Sequence, residues 1–185
     1  MSTSKTVIDR DFMIVRYIPG TAMSQIELTP DDRSRISRDV GKATAKMHLI
    51  SAPRFGRVAD VKNGGGYRKW SDCLMGELAD WEKVGIPAGI FSPDELNEIH
   101  RLFRNATPFL DEIQEPRLVH TDLWQGNILV RTDTQKPEFG AIIDADRAIW
   151  GDPLYEFSSI RWTYGETCFW EGYGTEPSQK EGDRI

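Results

Sequence analysis

Four polar side chains, set between short apolar runs, define the chemistry open to this chain. In RLVHTDLWQGNILV, residues 117–130, His120, Asp122 and Asn127 stand between Leu118-Val119 and Ile128-Leu129-Val130, and Asp144 closes the next apolar run, Phe139 to Ile143. Strand ends and the loops between them expose polar groups while apolar flanks hold them still. Asp122 is thereby suited to accept a hydrogen bond, and then a proton, from a hydroxyl. Asn127 offers a neutral oxygen and Asp144 a charged one. A few hard oxygens suit Mg2+, which keeps several waters and shares substrate phosphates rather than entering a full protein cage. Zinc would want nitrogen or sulfur ligands at close spacing, and three scattered histidines with two lone cysteines, Cys73 and Cys168, do not provide them. Any one Asp or Asn in a loop is commonly a turn residue with a local hydrogen bond. Only the joint pattern carries the reading.

These residues need elements to hold them. Phe12 to Tyr17 is β-branched and aromatic and stops at Pro19-Gly20, which predicts a strand entering a turn. Helical signals follow. Thr29-Pro30-Asp31-Asp32 is a helix start, with Ile36, Val40, Ala43 and Met47 on one face. A second helix carries Trp70, Leu74, Leu78 and Trp81. A third opens on the capping box Ser92-Pro93-Asp94-Glu95, shows Leu96, Ile99, Phe103, Ala106, Leu110 and Ile113, and closes at Pro116. The apolar stripes predict core. His48 and His100 fall on helical stretches and read as surface or packing residues. Asn63-Gly64-Gly65-Gly66 fits no phosphate-binding glycine pattern and reads as a flexible connector. From Leu154 a last helix begins.

Composition narrows the class. The 185 residues carry 23 Lys and Arg against 29 Asp and Glu, a net charge of −6, without the basic footprint that phosphate-backbone binding requires, so no nucleic-acid partner is expected. No apolar run is long enough to span a membrane and the start has no secretory character, which predicts a cytoplasmic protein with no membrane partner.

His120-Thr121-Asp122 followed by Asn127 resembles the H-x-D-x-x-x-x-N catalytic loop of kinases. Ile143-Asp144 with Gly151-Asp152-Pro153 resembles the corresponding segment of the aminoglycoside phosphotransferase family, a protein-kinase-like group that also holds choline, homoserine and fructosamine kinases. VRYIPG looks like that family's hinge and FWEGYG like its late helical segment, so the likeness runs from about Phe12 to Tyr173. The resemblance implies an α+β, mainly α fold: the C-terminal large lobe of the protein-kinase-like architecture, with short β hairpins at the site. It makes Asp122 the catalytic base or hydroxyl-orienting group, and Asn127 and Asp144 ligands of Mg2+ and so part of the ATP site. It places the adenine of ATP on the Arg16 carbonyl and the Ile18 amide. His120 would brace the loop through a backbone hydrogen bond, and Asp152 would stabilise its own loop.

The sequence also departs from that family. Ahead of its hinge the family carries a Gly-rich loop and a lysine paired with a helix glutamate; the residues before Phe12 contain neither. Ala145 stands where an aromatic residue is common, and Glu156 where aspartate is usual. The expected organisation is residues 1–20 as the last small-lobe strand plus hinge, and 21–185 as a helical large lobe shortened at its C-terminus, either a truncated product or a fragment. The expected function is ATP-dependent transfer of phosphate to a hydroxyl of a small molecule, with acidity favouring a cationic acceptor. The alternative is a catalytically inactive remnant that binds a ligand or partner, with self-association through the exposed hinge strand. An Mg2+-dependent hydrolase ranks below both, since two metals would want more acids.

Overall fold

The computed structural model describes residues 15–160 and 167–178. In chain order the elements are β1 (Thr21–Ala22), α1 (Pro30–Met47), β2 (Gly56–Arg57), α2 (Val58–Lys62), α3 (Trp70–Gly85), α4 (Pro93–Leu110), β3 (Arg117–Val119), β4 (Ile128–Arg131), β5 (Glu138–Ile142), β6 (Ile149–Gly151), α5 (Phe157–Ile160) and α6 (Thr167–Tyr173). The fold is α+β and mainly helical, as expected.

The two helices with explicit start signals begin where those signals lie. Thr29 Oγ1 accepts the Asp32 N–H at 3.2 Å at the head of α1. At α4 the capping box is complete: Ser92 Oγ accepts the Glu95 N–H at 3.3 Å, and Glu95 Oε2 accepts the Ser92 N–H at 2.8 Å. Each such cap is worth about 1 kcal/mol. α4 stops at Leu110, short of Pro116, with Pro108 tolerated in its last turn. Ile113 therefore packs from the following turn rather than from the helix. α3 lacks a cap of its own; Asp111, just past α4, accepts from Lys69 Nζ at 2.9 Å and from Ser71 Oγ. These donors hold the Asp111 carboxyl below its ordinary pKa.

Two small antiparallel sheets carry the loops of interest, in the orders β1-β4-β5 and β2-β6-β3. In the second, Arg57 faces Ile149 and Ile149 faces Val119. The exits of β2 and β3 and the entry of β6 thus lie at one end, neighbouring strands being about 4.8 Å apart. In the first, β4 and β5 form a hairpin with Ile128 opposite Ile142.

Two apolar clusters flank this arrangement. One joins Ile36 and Val40 of α1 to Leu123, Ile128, Val130, Leu154, Phe157 and Phe169. The other joins Phe55, Trp70, Cys73, Leu110, Val119 and Ile149. Some expectations need correction. On α1 the buried positions are Ile36, Ser37, Val40, Gly41 and Thr44, whereas Ala43 and Met47 are half-buried. The cause is α6, which packs so closely that a Cβ on Gly41 would overlap the Phe169 carbonyl and one on Gly172 the Arg38 carbonyl. At Gly41 a small residue is buried because a backbone sits against it. Trp81 is 67% exposed and is not core. Of the strand expected at Phe12 to Tyr17, Val15 to Tyr17 are irregular and the rest lies outside the described residues. The strand on this side is β1 instead, paired with β4.

An exposed helical glycine gains about 1 kcal/mol when replaced by alanine. At Gly172 the sign reverses: Gly172→Ala should cost roughly 1–3 kcal/mol by overpacking, read as a lower urea midpoint at unchanged slope. Stability equal to or above that of the parent would disprove the close helix contact.

Candidate functional site

β3 ends at Val119, fully buried, and delivers His120 into a turn that L-residues rarely adopt. Thr121 has φ 67°, a left-handed conformation costing about 1–2 kcal/mol for a residue with a Cβ. The surroundings hold it there. Glu156, fully buried, accepts the His120 N–H at 2.6 Å on Oε2 and the Thr121 N–H at 3.0 Å on Oε1. Thr121 Oγ1 donates to the Arg147 carbonyl at 3.0 Å. The His120 ring is also buried. Its Nε2 donates to the Ile143 carbonyl at 2.9 Å, which requires the proton on Nε2 and leaves Nδ1 to accept the Asp122 N–H at 3.3 Å. One imidazole thus ties this loop to the segment leading into Asp144, the brace expected of it.

Beyond it the loop closes on itself. Asp122 is half-buried. Its backbone carbonyl accepts the Trp124 N–H at 3.1 Å and Asn127 Nδ2 at 2.8 Å, and its carboxylate Oδ2 accepts the same amide at 3.2 Å. Leu123 anchors the loop in the first apolar cluster, and the indole of Trp124 lies over Gly126, where a Cβ would strike the ring. The Asn127 carbonyl accepts the Ile143 N–H at 2.9 Å. Asp144 follows directly, exposed, at φ 65° and ψ 53°. Aspartate tolerates this region better than most residues.

The structure therefore joins Asp122 to Asn127 by hydrogen bonds and sets Asp144 one residue beyond the cross-strand partner of Asn127. It does not add Arg16 and Ile18 to that group. Both lie in the irregular, exposed segment from Val15 to Gly20, which meets β4 at its Val130 end, away from Asn127. Among the described residues no hydrogen bond joins them to the other three.

The donor set fits a hard cation. With its nitrogen committed to Asp122, Asn127 keeps Oδ1 as an acceptor in a side chain only 6% exposed, and no donor among the described residues reaches it. Asp144 follows Ile143, whose N–H the Asn127 carbonyl accepts, and is an exposed carboxylate. Among the described residues no three His, Cys, Asp or Glu side chains form a metal cluster. A cation here would have few protein oxygens and would draw the rest from water or phosphate, a pattern that suits Mg2+.

Other expectations fall out individually. Asp152 Oδ1 accepts the Leu154 N–H at 3.0 Å and so stabilises its own turn. His100 pairs with Glu82 at 2.6 Å. His48 is buried and faces both Glu156 and Tyr173. The role of Glu156 was not legible; the hints were an acid between Leu154 and Phe157 and its place where the resembled family usually has aspartate. The Asn63–Gly66 stretch follows an unforeseen short helix, α2, and lines an open pocket of about 500 Å³ with Arg57, Asp60, Tyr67, Glu77 and Asp80. Next to the lining residue Arg57, the Val58 N–H donates to the Ala148 carbonyl at 3.4 Å; β2 stands two strands from β3, which leads into the His120 turn, so about 10 Å away. No described helix is long and apolar enough to cross a membrane.

Comparison with known proteins bears on the fold and the family. No curated protein matches the chain. Among solved structures, APH(2")-IIia in a GDP and kanamycin complex superposes with TM-score 0.60 at 17% identity, over 91% of this chain and 57% of that one. The streptomycin-ATP ternary complex of APH(2")-IIa gives 0.59 at 17%, over 91% and 58%. Macrolide 2'-phosphotransferase MphH from Brachybacterium faecium gives 0.51 at 15%, over 91% and 57%. At these identities the likeness establishes the fold, and the chain spans a little over half the length of each. Residues 2–174 match the phosphotransferase enzyme family, and the chain belongs to that family.

Proposed function

We propose that the chain contributes the catalytic half of an ATP-dependent phosphotransferase that acts on a hydroxyl of a small molecule. The observation that carries this reading is the contact of Asp122 with Asn127, on a loop locked to the Asp144 segment through His120. In the step inferred, an acceptor hydroxyl lies against Asp122. Its oxygen forms a bond to the γ-phosphorus, the bond from that phosphorus to the β–γ bridging oxygen breaks, and the hydroxyl proton passes to the Asp122 carboxylate as the nucleoside diphosphate leaves. Asp122 orients the hydroxyl because its own backbone and carboxylate are pinned by Asn127. Mg2+ held by Asn127 Oδ1 and the Asp144 carboxylate would neutralise charge on the phosphates. Arg16 and Ile18 would offer backbone groups to the adenine edge.

An acceptor bearing positive charge is supported by the net charge of −6 and by the open pocket at the same sheet end, lined by Asp60, Glu77 and Asp80 with Arg57, where Arg57 pairs with Glu77 and Lys83 with Asp80. The complexes of similar folds with kanamycin and with streptomycin and ATP lean the same way.

Phosphate transfer from ATP to a panel of amine-bearing polyols and amino alcohols, with titration calorimetry of Mg-ATP, tests the assignment. Asp122→Ala should lower transfer at least about 100-fold while leaving Mg-ATP affinity nearly unchanged; turnover comparable to the parent would remove Asp122 from its role. Asp144→Ala should weaken Mg-ATP binding roughly tenfold or more, as the loss of a charged contact implies. Unchanged affinity would sink the metal assignment. Mg-ATP binding with no transfer to any acceptor would favour the alternative of a binding module without catalysis.

A further inference from the structure

The acid beneath the loop is reached from a helix that carries none of the candidate residues. α6 sits against α1 through the close approach at Gly41 and Gly172, and Arg38 forms a two-pronged ion pair with Glu171 on the outer side. On the inner side, Tyr173 Oη lies 2.8 Å from His48 Nδ1. His48, buried at the end of α1, turns Nε2 toward Glu156 Oε2 at 3.5 Å. That same oxygen accepts the His120 N–H.

Proton positions follow from the partners. A ring nitrogen facing a carboxylate carries the proton, so Nε2 donates, Nδ1 accepts and the Tyr173 hydroxyl donates. The result is one directional chain: Tyr173 to His48, His48 to Glu156, and Glu156 receiving the two amides of the left-handed turn. Aromatic contacts leave the imidazole little room to rotate, with Phe157 at 5.9 Å and Tyr173 at 5.6 Å between ring centroids, both edge-on. A glutamate has three side-chain torsions, and the contact from His48 Nε2 is one restraint on the carboxylate that receives the two amides.

We propose that Tyr173 is a positioning residue for the His120–Asn127 loop: with α6 docked, it acts through His48 to keep Glu156 where both amides of the strained turn are bound. The proposal rests on the reading of that loop as catalytic, but its consequence is mechanical and can be read without turnover.

Amide hydrogen exchange followed by NMR on the 185-residue chain is the test. Tyr173→Phe removes one hydroxyl and adds neither volume nor charge. It should speed exchange at the His120 and Thr121 amides about three- to tenfold, the range expected for one lost hydrogen bond, with the ladder amides of β4 and β5 unchanged. Glu156→Gln should exceed tenfold at the same two amides, because an amide side chain can accept only one of them and turns its NH2 on the other. The double variant should be no faster than Glu156→Gln alone, since the tyrosine acts through that residue. Wild-type exchange in Tyr173→Phe, acceleration spread equally over β4 and β5, or multiplied effects in the double variant would each overturn the proposal. If Glu156→Gln does not fold, Tyr173→Phe with its strand control still decides. Failure of the catalytic reading would show separately, as transfer that survives Asp122→Ala.

Discussion

A carboxylate removed from water costs several kcal/mol unless donors meet both of its oxygens, and Glu156 is fully buried. Its oxygens are met by the His120 and Thr121 amides, with His48 behind them. Hydrogen bonds to a charged group contribute about 1.5–3 kcal/mol each, enough to offset the left-handed strain at Thr121. The turn in turn fixes where β3 ends and in which direction Asp122 leaves it. His120 can then span to the Ile143 carbonyl, which sets the start of the Asp144 segment. The candidate residues hold their places because one buried acid needs the amides of a strained turn.

The rest of the architecture serves the same end. Two apolar clusters meet at the loop, Val119 belonging to one and Leu123 to the other, so its backbone is anchored on both sides, with His120 and Asn127 buried and Asp122 half-buried. Antiparallel pairing brings the exits of β2 and β3 and the entry of β6 to one end. The hairpin β4–β5 sets Asn127 opposite Ile143. Residues 17 positions apart in sequence become neighbours because a hairpin returns the chain to its starting point. The second left-handed residue, Asp144, lies where the chain must turn out of β5 toward β6.

How much of this could be read beforehand depended on whether the cause was local. The starts of α1 and α4 were legible because caps act within four residues of one another, and both are made as written. The brace by His120 and the neighbourhood of Asp122 and Asn127 were legible because residue types and spacing recur with the chemistry. The buried face of α1 was misjudged: Ser37, Gly41 and Thr44 are interior, Gly41 because the backbone of α6 lies against it. Trp81 was misjudged for the converse reason: its stripe has helical period, yet among the described residues no element covers it. The short helix α2 lay hidden beside glycines.

From the sequence alone came the kinase-like loop, the oxygens able to serve a divalent cation, the acidity and the mainly helical character, all properties carried by residue identity and short-range spacing. Tertiary structure alone decided that Glu156 supports the turn and that His48 is buried between Glu156 and Tyr173. Such facts depend on long-range packing, where an acid and an imidazole distant along the chain are denied water and meet each other, with a half-buried phenol on the imidazole's far side. No local pattern encodes that exclusion; it exists only once the helices have closed over the loop.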